Sequence, residues 1–499
     1  NILSRLIHDT RDVTMDRRAF LRLSAATAGV AAMTVYGSSL FKVVDASNRA
    51  NAVGLASTLD PTAPMSNLVQ IPHLLRRAGF GGGPQEQAKF LAMGYDQAVQ
   101  YLLNYNQIDN SALDAVTPNI RTSYSGAVPA GQNEMNNLAT WWLNRMVQTP
   151  RPLEEKMTLF WHNHFATAYF KVQNGYSMYQ QNKFLRANAL GNFNDLLTGI
   201  TSDGAMLIWL DGVQNRKNNP NENFAREIME VFSTGRGPYT QSEVANGAKA
   251  FTGFSIDSTG QGVFTPANHD GSVKTFLGQA GAFAPQDIID ILVARPETAS
   301  TLSSELFQFF GYPNPSPDMI QRLSTVYFDS GYSIKSMVQA ILTSPEFVSN
   351  HAYLANVKSP IEYIVTALRS LNATATNGAL VSSMNNQAQF LFDPPSVFGW
   401  ASGIQWINTG SIMERLNFPI NVQTTTDNKA SGLDPNQAFP SGMDNATAVA
   451  NLTSKLFPEG LPSNVLSVID SSTATYTDLT LKTKNTVRLA MACPYYNLN

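Results

Sequence analysis

Residues 154–165 read EEKMTLFWHNHF, a run in which charged side chains, aromatic rings and histidines follow one another. Glu155, Leu159 and His162 recur at intervals of four and three residues, so a helix would place them on one face. This pattern predicts a long helix over residues 153–172. On such a helix His162 and His164 point about 200° apart, and one pocket could hold both only if the helix broke there.

Helical patterns recur along most of the chain. Apolar residues keep helical spacing over 334–342, and Ser344-Pro345 ends that run. Asn219-Pro220-Asn221-Glu222 predicts a helix start with the first Asn as N-cap, and Thr240-Gln241-Ser242-Glu243 matches a capping box. Between 254 and 277 the period shortens and glycines interrupt it, which predicts a small β-hairpin element. We therefore expect a mainly α fold with a large helical body.

The N-terminal region carries an export signal. Residues 15–22 read MDRRAFLR, which matches the twin-arginine pattern, and a weakly apolar stretch follows over 23–41. Ala50-Asn51-Ala52 resembles a cleavage site, so residues 1–52 are expected to be signal and n-region. The 23–41 stretch is too polar for a confident permanent span. We expect a periplasmic or extracellular protein that meets the membrane only if the signal stays uncleaved.

The rest of the chain divides into three predicted parts. A main helical domain spans 53–423, and a C-terminal helical segment spans 448–499. Between them, residues 424–447 are rich in Asn, Asp, Gly, Pro and Thr, which is typical of a linker.

Composition narrows the range of functions. The formal net charge of −3 offers no electrostatic basis for binding nucleic acid. Cys493 is the single cysteine, which argues against a Cys-ligated iron–sulfur cluster and a c-type haem.

Two segments offer candidate metal ligands. His162 and His164 lie within the helix predicted above, and either the metal-ligand role or a role as satisfied polar groups among aromatic residues fits their surroundings. Glu227 lies on the next candidate helix and could present oxygen to a hard cation. These residues, His162, His164 and Glu227, are the candidate ligands of a divalent metal. His162 and Glu227 are also candidate catalytic residues.

A third segment supplies a loop candidate. His269 precedes Asp270-Gly271, a good turn sequence, so turn formation accounts for the aspartate and leaves the histidine as a third candidate catalytic residue. Arg226, Lys274 and Asp270 are the candidate substrate-binding residues. Arg226 also sits four residues from Glu222 and from Glu230, the spacing of a salt-bridge ladder on a helix face.

Trp400 and Trp406 stand beside glycines near the end of the main domain. Such rings could form a platform on which sugars stack, or they could be core aromatics, and the second reading is favoured.

Together these segments resemble the bacterial "domain of unknown function 1800" family. The matching stretches are, in chain order, LRRAGFG at 75–81, EKMTLFWHNHF at 155–165, PNENFARE at 220–227, AFTGF at 250–254, HD at 269–270, KTFLG at 274–278, KSP at 358–360 and PPSVFGW at 394–400. Phe254 stands where the family usually has Trp, and Ala388 where it often has Gly.

The resemblance implies an exported, mostly helical bacterial protein, often encoded beside a sulfatase-like exported partner, and no particular reaction. Two hypotheses follow. The first is a metal-dependent or hydrolase-like enzyme acting on an extracytoplasmic substrate, in which His162, Glu227 and His269 meet in one cleft. The second is a non-catalytic surface or complex-forming binding protein, in which the same residues form a buried polar network.

Overall fold

The computed structural model describes residues 60–129, 133–237, 239–375, 377–424 and 433–499. The predicted export signal, residues 1–52, lies outside these residues. Within them the fold is mainly α, as predicted, and no helix is both long and apolar enough to cross a membrane.

The helices before the hairpins are α1 (Asn67–Arg77), α2 (Pro84–Met93), α3 (Tyr95–Leu103), α4 (Ser111–Asp114), α5 (Glu134–Gln148), α6 (Pro152–His164), α7 (Tyr169–Val172), α8 (Gly175–Ala187), α9 (Phe193–Thr201), α10 (Gly204–Trp209), α11 (Glu222–Glu230) and α12 (Gln241–Ala250). Those after them are α13 (Pro285–Val293), α14 (Pro296–Phe310), α15 (Pro317–Asp329), α16 (Ile334–Leu342), α17 (Pro360–Leu371), α18 (Asn377–Asn386), α19 (Thr409–Asn417), α20 (Pro435–Ala438), α21 (Asn445–Ser454), α22 (Ser463–Thr473) and α23 (Leu479–Ala492). Short 3-10 turns lie at Tyr105–Gln107, Gly212–Gln214, Pro266–Asn268, Gly403–Trp406, Phe418–Asn421 and Pro494–Asn497.

The β structure consists of two small antiparallel hairpins. Strands β1 (Phe254–Ile256) and β2 (Gly262–Phe264) pair with Phe254 opposite Phe264. Strands β3 (Lys274–Phe276) and β4 (Gln279–Gly281) form the second hairpin. The predicted β element near 254–277 is confirmed, and it continues to Gly281.

Helix α6 is the centre of the body, because every residue from Pro152 to His164 except Asn163 is buried. It ends at His164, so the single helix predicted over 153–172 is wrong. The chain turns away because the Thr167 hydroxyl donates to the Phe165 carbonyl and the Tyr169 N–H donates to the Phe392 carbonyl, 2.7 Å away. A short helix, α7, then resumes at Tyr169.

The caps of two neighbouring helices test the predicted starts. The capping box at Thr240 and Glu243 is present and opens α12. Helix α11 begins at Glu222, later than predicted, because the Asn221 side chain caps it by accepting from the Asn223 N–H. An aspartate or asparagine at this position pairs one of the free N–H groups of the first turn.

The C-terminal helices share the hydrophobic core of the main body. The buried Lys358 ammonium donates to the carbonyls of Tyr496 and Leu498, 2.7 Å from each. Arg415 donates to Asn497 Oδ1 at 3.0 Å. Of the predicted linker, residues 425–432 lie outside the described residues, and the part from 433 onwards contains α20.

Candidate functional site

A cleft of about 820 Å³ opens beside the C-terminal end of α6. Its walls come from α6, the end of α11, α14, the start of α17 and the loop over 397–406. This volume lies within the range of small-molecule sites in proteins. The cleft therefore joins segments from distant parts of the sequence, including the motifs around residues 160–164 and 397–400.

His164 is the histidine that faces the cleft. Its Nδ1 lies 2.8 Å from Glu305 Oε2, on α14, and its Nε2 lies 3.3 Å from the Phe232 carbonyl oxygen. Each nitrogen of the ring therefore faces an oxygen atom, one from a carboxylate and one from the backbone. The pair places an imidazole and a carboxylate side by side in the cleft wall.

Asn163 positions an aromatic residue of the cleft. Its Oδ1 accepts from the Trp400 backbone N–H at 2.7 Å. Gly399, just before this tryptophan, has φ 73°, and a Cβ there would lie 2.2 Å from the same oxygen. Only glycine fits both the backbone conformation and the close approach.

Aromatic rings form much of the remaining wall. Phe398 is 56% exposed, whereas Trp400 and Trp406 are 7% and 6% exposed. Both tryptophans line the cleft while they pack against the core. The two readings of these residues from the sequence are therefore compatible.

Two further acidic residues of the cleft, Glu230 and Glu362, are paired with protein cations. Glu230 lies 3.3 Å from Arg226 and 3.7 Å from Arg236. Glu362, on α17, forms an ion pair with the buried Lys156 ammonium. This cation, together with Arg77, outweighs the effect of burial and lowers the pKa of Glu362 to about 2.

Arg77 also lines the cleft, and backbone carbonyls accept hydrogen bonds from its Nε and Nη2 groups. Its guanidinium donates to the carbonyls of Phe309 and Phe310, at 2.5 and 2.6 Å, and to Gly311 at 3.3 Å. These are the free carbonyls at the C-terminal end of α14, which a cation stabilises.

His162 lies in a sealed aromatic pocket. It is 1% exposed, its ring lies 5.1–5.4 Å from those of Trp142, Phe392 and Trp400, and its Nε2 accepts from the Phe392 N–H at 3.1 Å. Burial lowers its pKa to about 3, so the ring is neutral near neutral pH. Its surroundings are those of a structural histidine.

The predicted loop residues stabilise the hairpins. His269 Nδ1 lies 3.1 Å from the Thr252 carbonyl oxygen, and Asp270 accepts from the Ser272 N–H at 2.9 Å. The Lys274 ammonium is buried and donates to the carbonyls of Asp270 and Ser272. None of these three lines the cleft.

Glu227 and Arg226 lie on α11. Glu227 is half-buried, and burial with the nearby Glu230 raises its pKa. Arg226 donates to Glu222 and Glu230, the ladder expected from their spacing. Within the described ranges no hydrogen bond or ion pair joins His162, Glu227 and His269, and no cluster of three or more His, Cys, Asp or Glu is suited to a metal.

Several cleft residues were not identified from the sequence. Glu305 lies within the helical run of α14, 141 positions from His164, and no local pattern marks it. Phe398 lies in the motif PPSVFGW at 394–400, together with Trp400. This motif is the one signal in the sequence that could have placed Phe398 at the site.

Comparisons with curated proteins and with solved structures give no match. The sequence profile of one family matches residues 73–498, a stretch that contains every cleft-lining segment. The chain thus belongs to the family described as "Protein of unknown function (DUF1800)".

Proposed function

We propose that this protein is an exported, hydrolase-like enzyme that binds an extracytoplasmic substrate in the cleft beside α6. The observation that carries the proposal is the 2.8 Å contact between His164 Nδ1 and Glu305 Oε2 in the cleft wall. A histidine held by a carboxylate is a common arrangement for general acid–base chemistry. Glu305 is partly exposed, so solvent and substrate can reach the pair.

In this proposal His164 is the proton donor. Glu305 at Nδ1 and the Phe232 carbonyl oxygen at Nε2 hold its ring in place in the cleft wall. The catalytic role predicted from the sequence for His162, Glu227 and His269 stays a prediction. The same holds for Arg226, Lys274 and Asp270 in substrate binding.

Turnover by the purified protein tests the proposal. Nitrophenyl esters, glycosides and phosphates are the probes, and we expect one class to be hydrolysed. His164→Ala and Glu305→Gln should lower kcat/KM by about a hundredfold, the usual effect of removing a general acid or base. The exposed His351 is outside the cleft, and His351→Ala is the matched control. Equal rates for all variants would contradict the acid–base role.

The second candidate is a non-catalytic binding protein with a buried polar network. It is favoured by the sealed position of His162 and by the buried contacts of Lys358 and Arg415 with the C-terminal residues. Ligand binding without turnover of any probe class would support this candidate over the enzyme.

Export, metal dependence and the partner are separate parts of the proposal. Cell fractionation should show the protein outside the cytoplasm. The double variant Arg17→Lys, Arg18→Lys should stay in the cytoplasm, because the export receptor recognises the arginine pair. Elemental analysis of the exported protein tests the predicted divalent metal. Co-purification with a sulfatase-like exported protein tests the proposed partner.

A further inference from the structure

We infer that the cleft binds a neutral oligosaccharide. This inference rests on the proposed function, because it assigns a ligand class to the same cleft. Three properties of the lining carry this inference. They are the contacts that its charged groups already make, the combination of aromatic and polar groups, and an indole N–H without a hydrogen-bond partner in the described part of the chain.

Most charged groups of the cleft already contact other groups of the protein. Glu362 pairs with Lys156, Glu230 with two arginines, and Glu305 contacts His164 Nδ1. Arg77 donates to helix carbonyls. A charged ligand would have to compete with these contacts, whereas a neutral ligand would not.

The wall combines aromatic residues with hydrogen-bonding groups. Phe398, Trp400 and Trp406 supply rings, and Glu305, Gln308 and Asn356 supply oxygens and amide N–H groups. A purely apolar ligand would leave these polar groups without water or partners, which is unfavourable. A sugar has an apolar C–H face that packs on a ring and hydroxyls around its rim that pair with carboxylates and amides.

Trp400 provides the independent observation. Its side chain is more than nine-tenths buried and lines the cleft, and its indole Nε1–H has no hydrogen-bond partner in the described part of the chain. Buried indole N–H groups usually have a partner. The Nε1 atom is itself buried, so a hydroxyl or ring oxygen of a ligand would supply a partner if the ring turned to bring this N–H to the cleft.

Phe398 is the residue whose exposure most favours ligand contact. It is 56% exposed, and its one described cation contact is the Arg236 guanidinium, 4.8 Å above the ring. Phe170, which is 58% exposed and does not line the cleft, is a matched control of the same residue type. Removing either ring should leave the fold intact, since both rings are largely in solvent.

The experiment measures binding to the full chain by calorimetry and tryptophan fluorescence. The probes are cellotetraose, maltotetraose, xylotetraose and chitotetraose, with inorganic phosphate and oleate as ionic and apolar comparisons. We expect at least one tetrasaccharide to bind with a Kd below about 1 mM and to change tryptophan emission. Phe398→Ala should weaken that binding about tenfold, and Phe170→Ala should leave it unchanged.

The inference is overturned if no tetrasaccharide binds below about 10 mM, or if phosphate or oleate binds in their place. It is also overturned if Phe398→Ala binds as the wild type does, because the sugar would then sit elsewhere. Hydrolysis of the nitrophenyl probes is scored separately. If His164→Ala loses turnover but no tetrasaccharide binds to the protein, the oligosaccharide inference alone is contradicted. If a tetrasaccharide binds but no probe is hydrolysed, the enzyme proposal alone is contradicted.

Discussion

The side-chain Oδ1 of Asn163 accepts a hydrogen bond from the Trp400 backbone N–H at 2.7 Å. The contact joins the end of α6 to the loop over 397–406, two segments 237 positions apart. Because the neighbouring side chains His164 and Phe398 both line the cleft, this one bond connects the His164–Glu305 pair to the aromatic wall. The backbone beside it is correspondingly intolerant of change.

Gly399→Ala should destabilise the protein by about 3 kcal/mol. The glycine has φ 73°, and an added Cβ would lie 2.2 Å from Asn163 Oδ1 and 2.6 Å from the Asn163 carbonyl oxygen. Urea denaturation gives the measurement. Gly378→Ala is the control, since a Cβ at Gly378 meets nothing within 4 Å, and it should be neutral or slightly stabilising. Equal stability of the two variants would show that the Asn163 contact is not formed.

Ala388→Gly should stabilise the protein. Ala388 has φ 65°, in the left-handed region that favours glycine. It stands at a position where the family often has glycine. Relieving this strain should stabilise the fold by about 1 kcal/mol, less what glycine loses in the unfolded chain. The test is a rise in the denaturation midpoint with an unchanged slope, and a fall in the midpoint would contradict it.

His162→Ala should lower the free energy of unfolding by about 3 kcal/mol. The change leaves a cavity among three aromatic rings and removes the acceptor of the Phe392 N–H. Metal content of the exported protein should be the same as in the wild type, because this imidazole is sealed from solvent. Loss of a bound metal with the stability unchanged would instead support the ligand role first predicted for His162.

Glu154→Gln should change how stability depends on pH. Burial and the adjacent Glu155 raise the pKa of Glu154 from its ordinary 4.5 to about 7. Its Oε2 accepts no hydrogen bond. The folded protein therefore favours the protonated form, so the contribution of Glu154 is complete below the unfolded pKa and is lost as pH rises through about 7.

The glutamine variant lacks this titration. Between about pH 5 and about pH 8 its stability should rise relative to the wild type by up to about 3 kcal/mol. Unfolding free energies of both proteins across this range give the difference directly. A difference that stays constant with pH would mean that Glu154 keeps an ordinary pKa in the folded protein.

Local structure was predictable wherever it depends on neighbours in sequence. The mainly α fold, the β element starting at Phe254 and the capping box at Thr240 follow from periodicity and turn chemistry. The end of α6 was not predictable in this way. The chain is redirected there by a local hydrogen bond of Thr167 together with a distant one to the Phe392 carbonyl. Periodicity carries no information about either.

By itself, the sequence determined the helical class, the motifs by which the family is recognised, and the opposite directions of His162 and His164, which follow from helix geometry. Tertiary structure alone decided which histidine faces the cleft and which is sealed among rings. It also supplied Glu305, since a partner for His164 at 141 positions' separation is chosen by packing. The physical reason is desolvation: burial removes water from every polar group, and only the assembled fold determines which group replaces it.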